Sequence, residues 1–220
     1  MDGKVDYKKL NKELYQPGVT PGIIDVPEML FLCQDGHGDP NEEGGAYHKA
    51  LEALYALTYT IKMSKMGSHA LPGYFEYTVP PLEGLWWLQD DTDRNFFGSK
   101  DRYQWTSLIR QPEFVTEDVL LWAKEEVRRK KPGVDVSGVR LLSFKEGLCV
   151  QVMHIGPFDR EPETLARMET FIHESGLVVD IGAVLPYGMR RRHHEIYMGD
   201  PRKTKLESMK TVLRHPVRRG

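Results

Sequence analysis

The order strand, helix, strand, strand can be read twice along this chain, and that order restricts the fold more than any single residue does. Residues 28–34 (EMLFLCQ) are a short apolar run that stops at the turn sequence Asp35-Gly36-His37-Gly38-Asp39-Pro40, which predicts a strand and then a loop. In 46–66, Ala50, Leu51, Leu54, Leu57, Thr58 and Ile61 recur at spacings of three and four, the period of an amphipathic helix, with Gly67 as its stop. Residues 74–79 and 85–88 are β-branched and aromatic runs separated by Pro80, Pro81 and Gly84, so two strands are expected around a turn or bulge. In the second half, 139–144 and 148–154 read as strands joined by a turn at Glu146-Gly147. Pro162 then suits a first helical turn, with Leu165, Met168, Phe171 and Ile172 as the apolar stripe before Gly176. Further strands are expected around 177–185 and 194–198. The halves share this order and not their residues.

A polar segment, 89–101, precedes a helix over 116–131, opened by Thr116 with Glu117 and Asp118 in its first turn and closed by a basic run before Pro132-Gly133. It would join the two halves, about 22–110 and 135–217, into one α+β domain spanning 1–220. The start of the chain reads as a short polar helix or arm to Tyr15, followed by Pro17, Pro21 and Pro27, where helix cannot persist. Helices packed on one sheet face would leave the other face free to form a groove.

With 220 residues, 40% of them hydrophobic, the chain can bury a sizeable core, and no apolar run approaches the roughly 20 residues of a membrane helix. A soluble protein without a membrane partner is expected. MDGKVDYKKLNKELY does not fit a secretory signal, and Cys33 and Cys149 sit in apolar runs where buried thiols are expected, so the cytoplasm is the expected compartment. Thirty Lys and Arg against 32 Asp and Glu argue against a global grip on nucleic acid. The basic tail from Arg202 to Arg219, with Lys203, Lys205, Lys210, Arg214 and Arg218, lacks interleaved aromatics and reads as a solvated helix face.

Chemistry concentrates on the last strand. Alternation sends Ile196 and Met198 to one face and His193, Glu195 and Tyr197 to the other. If the apolar pair packs under the helices, Glu195 and Tyr197 face the groove. A carboxylate lined by aromatics and partly removed from water suits general-base work on a water molecule. Tyr197 would orient that water or donate to an oxygen on which charge develops. The alternative is an ion pair of Glu195 with Arg191 or Arg192.

Trp86 and Trp87 are neighbours on a strand, so one should face the core and one the groove, and sequence does not decide which. Trp105, in the loop DRYQW, and Tyr77 are further wall candidates. Tyr55, Tyr59 and Lys62 share a helix face at i, i+4 and i+7, either as a helix edge or with Tyr59 as a second donor over the groove. His193 and His194 are consecutive and cannot chelate one metal, and Asp35, Asp39 and Asn41 lack the Glu that completes a calcium loop. No G-x-S-x-G, G-x-x-x-x-G-K or G-x-G-x-x-G occurs, so no metal or cofactor is expected. His154, before Gly156-Pro157, reads as a satisfied strand-end histidine.

PLEGLWW (81–87), VQVMHIGPFDREPETL (150–165) and HHEIYMGDPRKTKLESMKTVLRHPV (193–217), with IDVPEMLFL (24–32) and ALYALTYTIK (53–62), together resemble the GyrI-like small-molecule-binding family. They are most similar to its stand-alone subgroup. The resemblance implies two β-α-β-β modules related by a pseudo-twofold axis, with a ligand groove between them, aromatic walls and a central acid that maps onto Glu195. In related regulators that acid faces cationic drugs, but no DNA-binding helix-turn-helix is seen ahead of the domain here. Some stand-alone members look like hydrolases that open the ring of cyclopropanoid genotoxins with water. The expectation is therefore an aromatic or amphipathic small-molecule partner, Glu195 and Tyr197 as catalytic residues, and Trp86, Trp87, Tyr59, Trp105, Tyr77 and His193 as ligand contacts. A passive binder, or an interaction protein inhibiting an enzyme such as DNA gyrase, are the other readings.

Overall fold

The computed structural model describes residues 3–66, 71–89, 100–186, 188–199 and 204–220; Gly67, most of the polar 89–101 segment, Arg202 and Lys203 lie outside them. Two single-turn helices, α1 (Tyr7–Leu10) and α2 (Lys12–Tyr15), lead into β1 (Gly22–His37) and α3 (Ala46–Lys62). A hairpin of β2 (Leu82–Leu88) and β3 (Tyr103–Arg110) precedes α4 (Glu117–Lys130) and β4 (Arg140–Ile155). The chain ends with α5 (Glu161–Glu174), β5 (Leu177–Val179), β6 (His193–Tyr197) and β7 (Lys210–Arg219). The strands run in the order β4-β1-β3-β2-β6-β7, and a direct β4–β7 pairing closes them into a barrel-like sheet, with β5 on the end of β7.

Closure follows from strands longer than the sequence pattern suggests. The turn expected at Glu146-Gly147 is instead a kink within one 16-residue strand, β4, where Gly147 takes φ +74. Pro27 sits opposite this kink, a position where its missing N–H removes no ladder bond. The strand expected at 74–79 does not form: Tyr77 makes an isolated bridge to Val5, and Tyr74, Phe75 and Tyr77 gather around the Phe114 ring. Its place beside β2 is taken by β3, which pairs Trp86 with Trp105. Of 177–185, only Leu177–Val179 is strand. Of the basic tail, Lys210–Arg219 is a strand, held between β4 and β6, and not a solvated helix face: its alternation turns Arg214 inward and Leu213 outward.

The barrel interior holds Phe31, Cys33, Leu85, Leu108, Phe144, Cys149, Ile196 and Val212, and Tyr7, Leu14 and Tyr15 of the amino-terminal turns pack against them. The arm is therefore apolar where it matters. Outside, α3 and α4 cover Leu32 and Ile109, and α5 covers Val150, Val152 and Leu213. Thr116 caps α4 by accepting from the Val119 N–H at 3.4 Å.

The interior also contains charge. His194 places Nδ1 3.0 Å from Glu146 Oε2 and Nε2 3.0 Å from Glu83 Oε2. Both ring nitrogens face acceptor-only oxygens, so both carry protons. Arg214 donates to Glu146 Oε2 at 2.9 Å, to Gln151 Oε1 and to the Leu14 carbonyl, tying β4, β6, β7 and the arm together. Burial pushes the His194 imidazole down, but the two glutamates outweigh it and lift it to about 9. Burial likewise raises the Glu146 carboxyl, and the charges of His194 and Arg214 outweigh it, holding it at about 2.

Candidate functional site

The β2–β6 register sets Gly84 opposite Glu195 and Trp86 opposite His193. Gly84, Trp86, His193, Glu195 and Tyr197 consequently share the outer face of the sheet, while Glu83, His194 and Ile196 point into the barrel. Glu195 and Tyr197 lie on one face, as alternation requires, but the helices are on that same face. Ile196 and Met198 pack on the inner side, not under helices, so the expectation of a groove on a helix-free face is corrected. The candidate site is the outer wall between the first turn of α3 and the start of α5.

Glu195 is 8% exposed and held on both oxygens. Tyr197 donates its hydroxyl to Oε2 at 2.7 Å, and His193 Nε2 lies 3.0 Å from Oε1. The Tyr197 oxygen accepts from the Trp86 indole N–H at 2.9 Å. Behind His193, its Nδ1 meets His215 Nε2 at 2.9 Å. With a Glu195 oxygen as acceptor, His193 donates from Nε2, so His215 donates from Nε2 to His193 Nδ1 and its own Nδ1 finds no partner among the described residues. Burial and the neighbouring His193 push the His215 imidazole well below its ordinary range, consistent with this neutral tautomer. Burial, then the charge of Glu195, raises the Tyr197 phenol.

Aromatic rings enclose this group. Tyr47, on the first turn of α3, has its ring 5.4 Å from Trp86 and 5.1 Å from Trp105, and Tyr103 lies 5.6 Å from Trp86. Phe158, on a single 3-10 turn before α5, meets the Tyr197 ring edge-on at 5.9 Å. Three residues further, Glu161 is 2% exposed and its Oε1 finds no hydrogen-bond partner among the described residues.

Close approach at Gly84 makes the arrangement possible. A Cβ there would lie 2.5 Å from Trp86 Nε1 and 3.2 Å from the Tyr197 hydroxyl. Gly84→Ala is expected to part Trp86 from Tyr197 and to cost about 1–3 kcal/mol of stability in denaturant unfolding. An indole N–H resonance of Trp86 that does not move in the variant would show that the close approach is unnecessary.

The other residues singled out from sequence are dispersed. Trp86 lies on the outer face with Glu195; Trp87 faces the opposite side, where the Arg192 guanidinium lies 4.5 Å from its ring. Trp105 is on β3, not in a loop, and is 1% exposed beneath Tyr47. Tyr77 is fully buried in the Phe114 cluster with Lys62 5.0 Å over its ring, away from Glu195. Tyr59 is 52% exposed and stacks on Tyr55, so it is a helix-edge residue. Arg191 pairs with Asp180 at 2.7 Å and donates to the Glu146 carbonyl, so it is engaged away from Glu195. His154 is satisfied by Thr164 and the Pro157 carbonyl.

Tyr47, Tyr103, Glu161 and His215 belong to the site and were not legible in sequence. Among the described residues no group of three or more His, Cys, Asp or Glu is placed to hold a metal ion, and no helix is long and apolar enough to cross a membrane. Two clefts of about 330 and 280 Å³ lie elsewhere, beside α5 at His154 and beside Arg110.

Residues 20–218 match the family described as GyrI-like small molecule binding domain. An uncharacterized conserved protein of Listeria innocua is 52% identical over 98% of this chain and 100% of its own, with a TM-score of 0.89. A hydrolase from Listeria innocua is 51% identical over the same shares, with a TM-score of 0.86. The C-terminal domain of EcmrR, 10% identical over 91% of this chain and 98% of its own, shares the fold with a TM-score of 0.51. No curated protein matches.

Proposed function

The chain belongs to the GyrI-like small-molecule-binding family, and from that premise we propose that it is a hydrolase that opens the strained ring of cyclopropanoid compounds with water. The observation that carries this reading is the Glu195 carboxylate, held on both oxygens by Tyr197 and His193 and ringed by Trp86, Tyr103 and Tyr47. A similar protein described as a hydrolase supports it.

Each carboxylate oxygen keeps a lone pair beyond the bond it already accepts, so Glu195 takes a proton from water while the water oxygen attacks the ring carbon. Tyr197, fixed by the Trp86 indole N–H, positions that base by donating its hydroxyl to Oε2, and it is the second catalytic residue of this reading. Flat rings bury a planar aromatic or amphipathic ligand at small entropic cost. The groove belongs to the seam between two strand-helix-strand-strand modules, and a reducing compartment such as the cytoplasm suits the two buried free cysteines.

Incubation with a spirocyclopropyl dienone, followed by mass spectrometry, tests this. The expected product is ring-opened and heavier by one water. Compound recovered unchanged from a tight complex would replace hydrolysis with sequestration.

A further inference from the structure

We propose that Glu161 is the proton donor of this site: a carboxylic acid, protonated at neutral pH, that gives its hydrogen to the ligand oxygen receiving the electron pair of the broken ring bond. The proposal rests on the hydrolytic reading above and adds to it the group that completes the proton balance.

The two carboxyls of the site are treated oppositely by their surroundings. Glu195 accepts from the Tyr197 hydroxyl on one oxygen and faces His193 Nε2 with the other. Glu161 is more deeply buried, at 2% exposure, and its Oε1 finds no donor among the described residues. A buried, undonated carboxylate beside a second anion is unfavourable, whereas a carboxylic acid there is an available donor. Burial first, and then the charge of Glu195, raise the Glu161 carboxyl well above the usual carboxylate range.

Placement agrees. Phe158, on the turn that delivers Glu161 to α5, touches the Tyr197 ring, and Glu161 lies within electrostatic reach of Tyr197 and Tyr103. The groups facing Glu161 are therefore Glu195 and Tyr197 from β6 and Tyr103 from β3. Its helix neighbour Arg160 is engaged with Glu207, 3.6 Å away. The positive end of α5 favours an anion at this position, but burial of the side chain beside Glu195 outweighs it.

The step balances without a further reagent. Water forms a C–O bond to the ring carbon, the cyclopropane C–C bond breaks, and its electron pair aromatises the dienone to a phenolate. Glu161 protonates that oxygen, Glu195 receives the proton lost by water, and proton exchange between the two carboxyls restores the starting state. One carboxyl supplied with hydrogen-bond donors and a second, buried one without them are the arrangement such chemistry needs.

Carbon-13 NMR of the glutamate carboxyls, with Glu161→Gln identifying the signal, reads the protonation directly. Glu161 should remain protonated at neutral pH, and its midpoint should fall when Glu195 is replaced by Gln; a Glu161 signal that is carboxylate at neutral pH overturns the proposal. In kinetics, Glu161→Gln should lower kcat/KM for ring opening about 10²-fold and abolish the alkaline limb of the pH profile, with partial rescue by Glu161→Asp. Unchanged kinetics in Glu161→Gln would also overturn it. If the native protein leaves the ring intact, the hydrolytic reading fails and the absorption of the bound dienone decides Glu161 by itself. A red shift lost in Glu161→Ala sustains the donor, and an unshifted spectrum overturns it.

Discussion

Glu195→Gln is expected to slow ring opening by about 10²- to 10⁴-fold, the usual worth of a general base, while the protein stays folded and still binds its ligand. Glutamine keeps the shape but cannot take a proton from water. The hydrogen-bond chain tolerates the exchange for a specific reason. With an amide NH₂ facing His193 Nε2, that nitrogen becomes the acceptor, His193 Nδ1 donates to His215 Nε2, and the proton moves to His215 Nδ1, which lacks a partner in either arrangement. Comparing kcat/KM and the thermal midpoint of the two proteins checks this. Full activity in the variant would remove Glu195 from the reaction, and a collapse of stability would show that its charge is structural.

The largest effect on stability is expected inside the barrel. Arg214→Met strips Glu146 of one positive partner and deprives Gln151 Oε1 and the Leu14 carbonyl of their donor, in a place that is fully buried. Breaking a buried pair from one side costs about 3–5 kcal/mol, which for a chain this size lowers Tm by roughly 10 °C. The pH dependence of the native protein should follow from the same cluster. His194 is raised from 6.5 to about 9, so its stabilisation is complete below pH 6.5 and disappears as pH rises through 9. Glu146 is lowered from 4.5 to about 2, so its contribution is complete above pH 4.5 and disappears as pH falls through 2. Each limb amounts to about 3 kcal/mol, but both describe the same attraction and do not add. Denaturant unfolding across pH should find the alkaline limb kept in Arg214→Met and reduced in Glu146→Gln. A flat alkaline limb in the native protein would contradict a doubly protonated His194.

What sequence made legible was local. The helix period from Ala50 to Ile61, the Thr116 cap and the alternation of Glu195 with Ile196 each depend on residues a few positions apart, and each appears in the structure. What it hid depends on distant partners. Arg214 and Lys210 look like a solvated basic face until β4 and β6 bracket the tail from both sides. Trp86 and Trp87 cannot be told apart without the register that puts Trp86 opposite His193. Glu161 resembles the acids that commonly open a helix, as Glu117 and Asp118 open α4, and only the contact of Phe158 with Tyr197 shows that this helix start is turned inward. Alternation also says nothing about which side of a strand is inside once a sheet closes on itself.

Because His194 anchors the interior ions while its neighbours on either side form the outer face of the candidate site, a single inserted or deleted residue in β6 would exchange the two faces and ruin both. Selection for new substrates has little freedom along that strand. On the proposed reading, variation in ligand preference is expected at the first turn of α3 and the 3-10 turn before α5, where Tyr47 and Phe158 can be exchanged without disturbing any ladder bond.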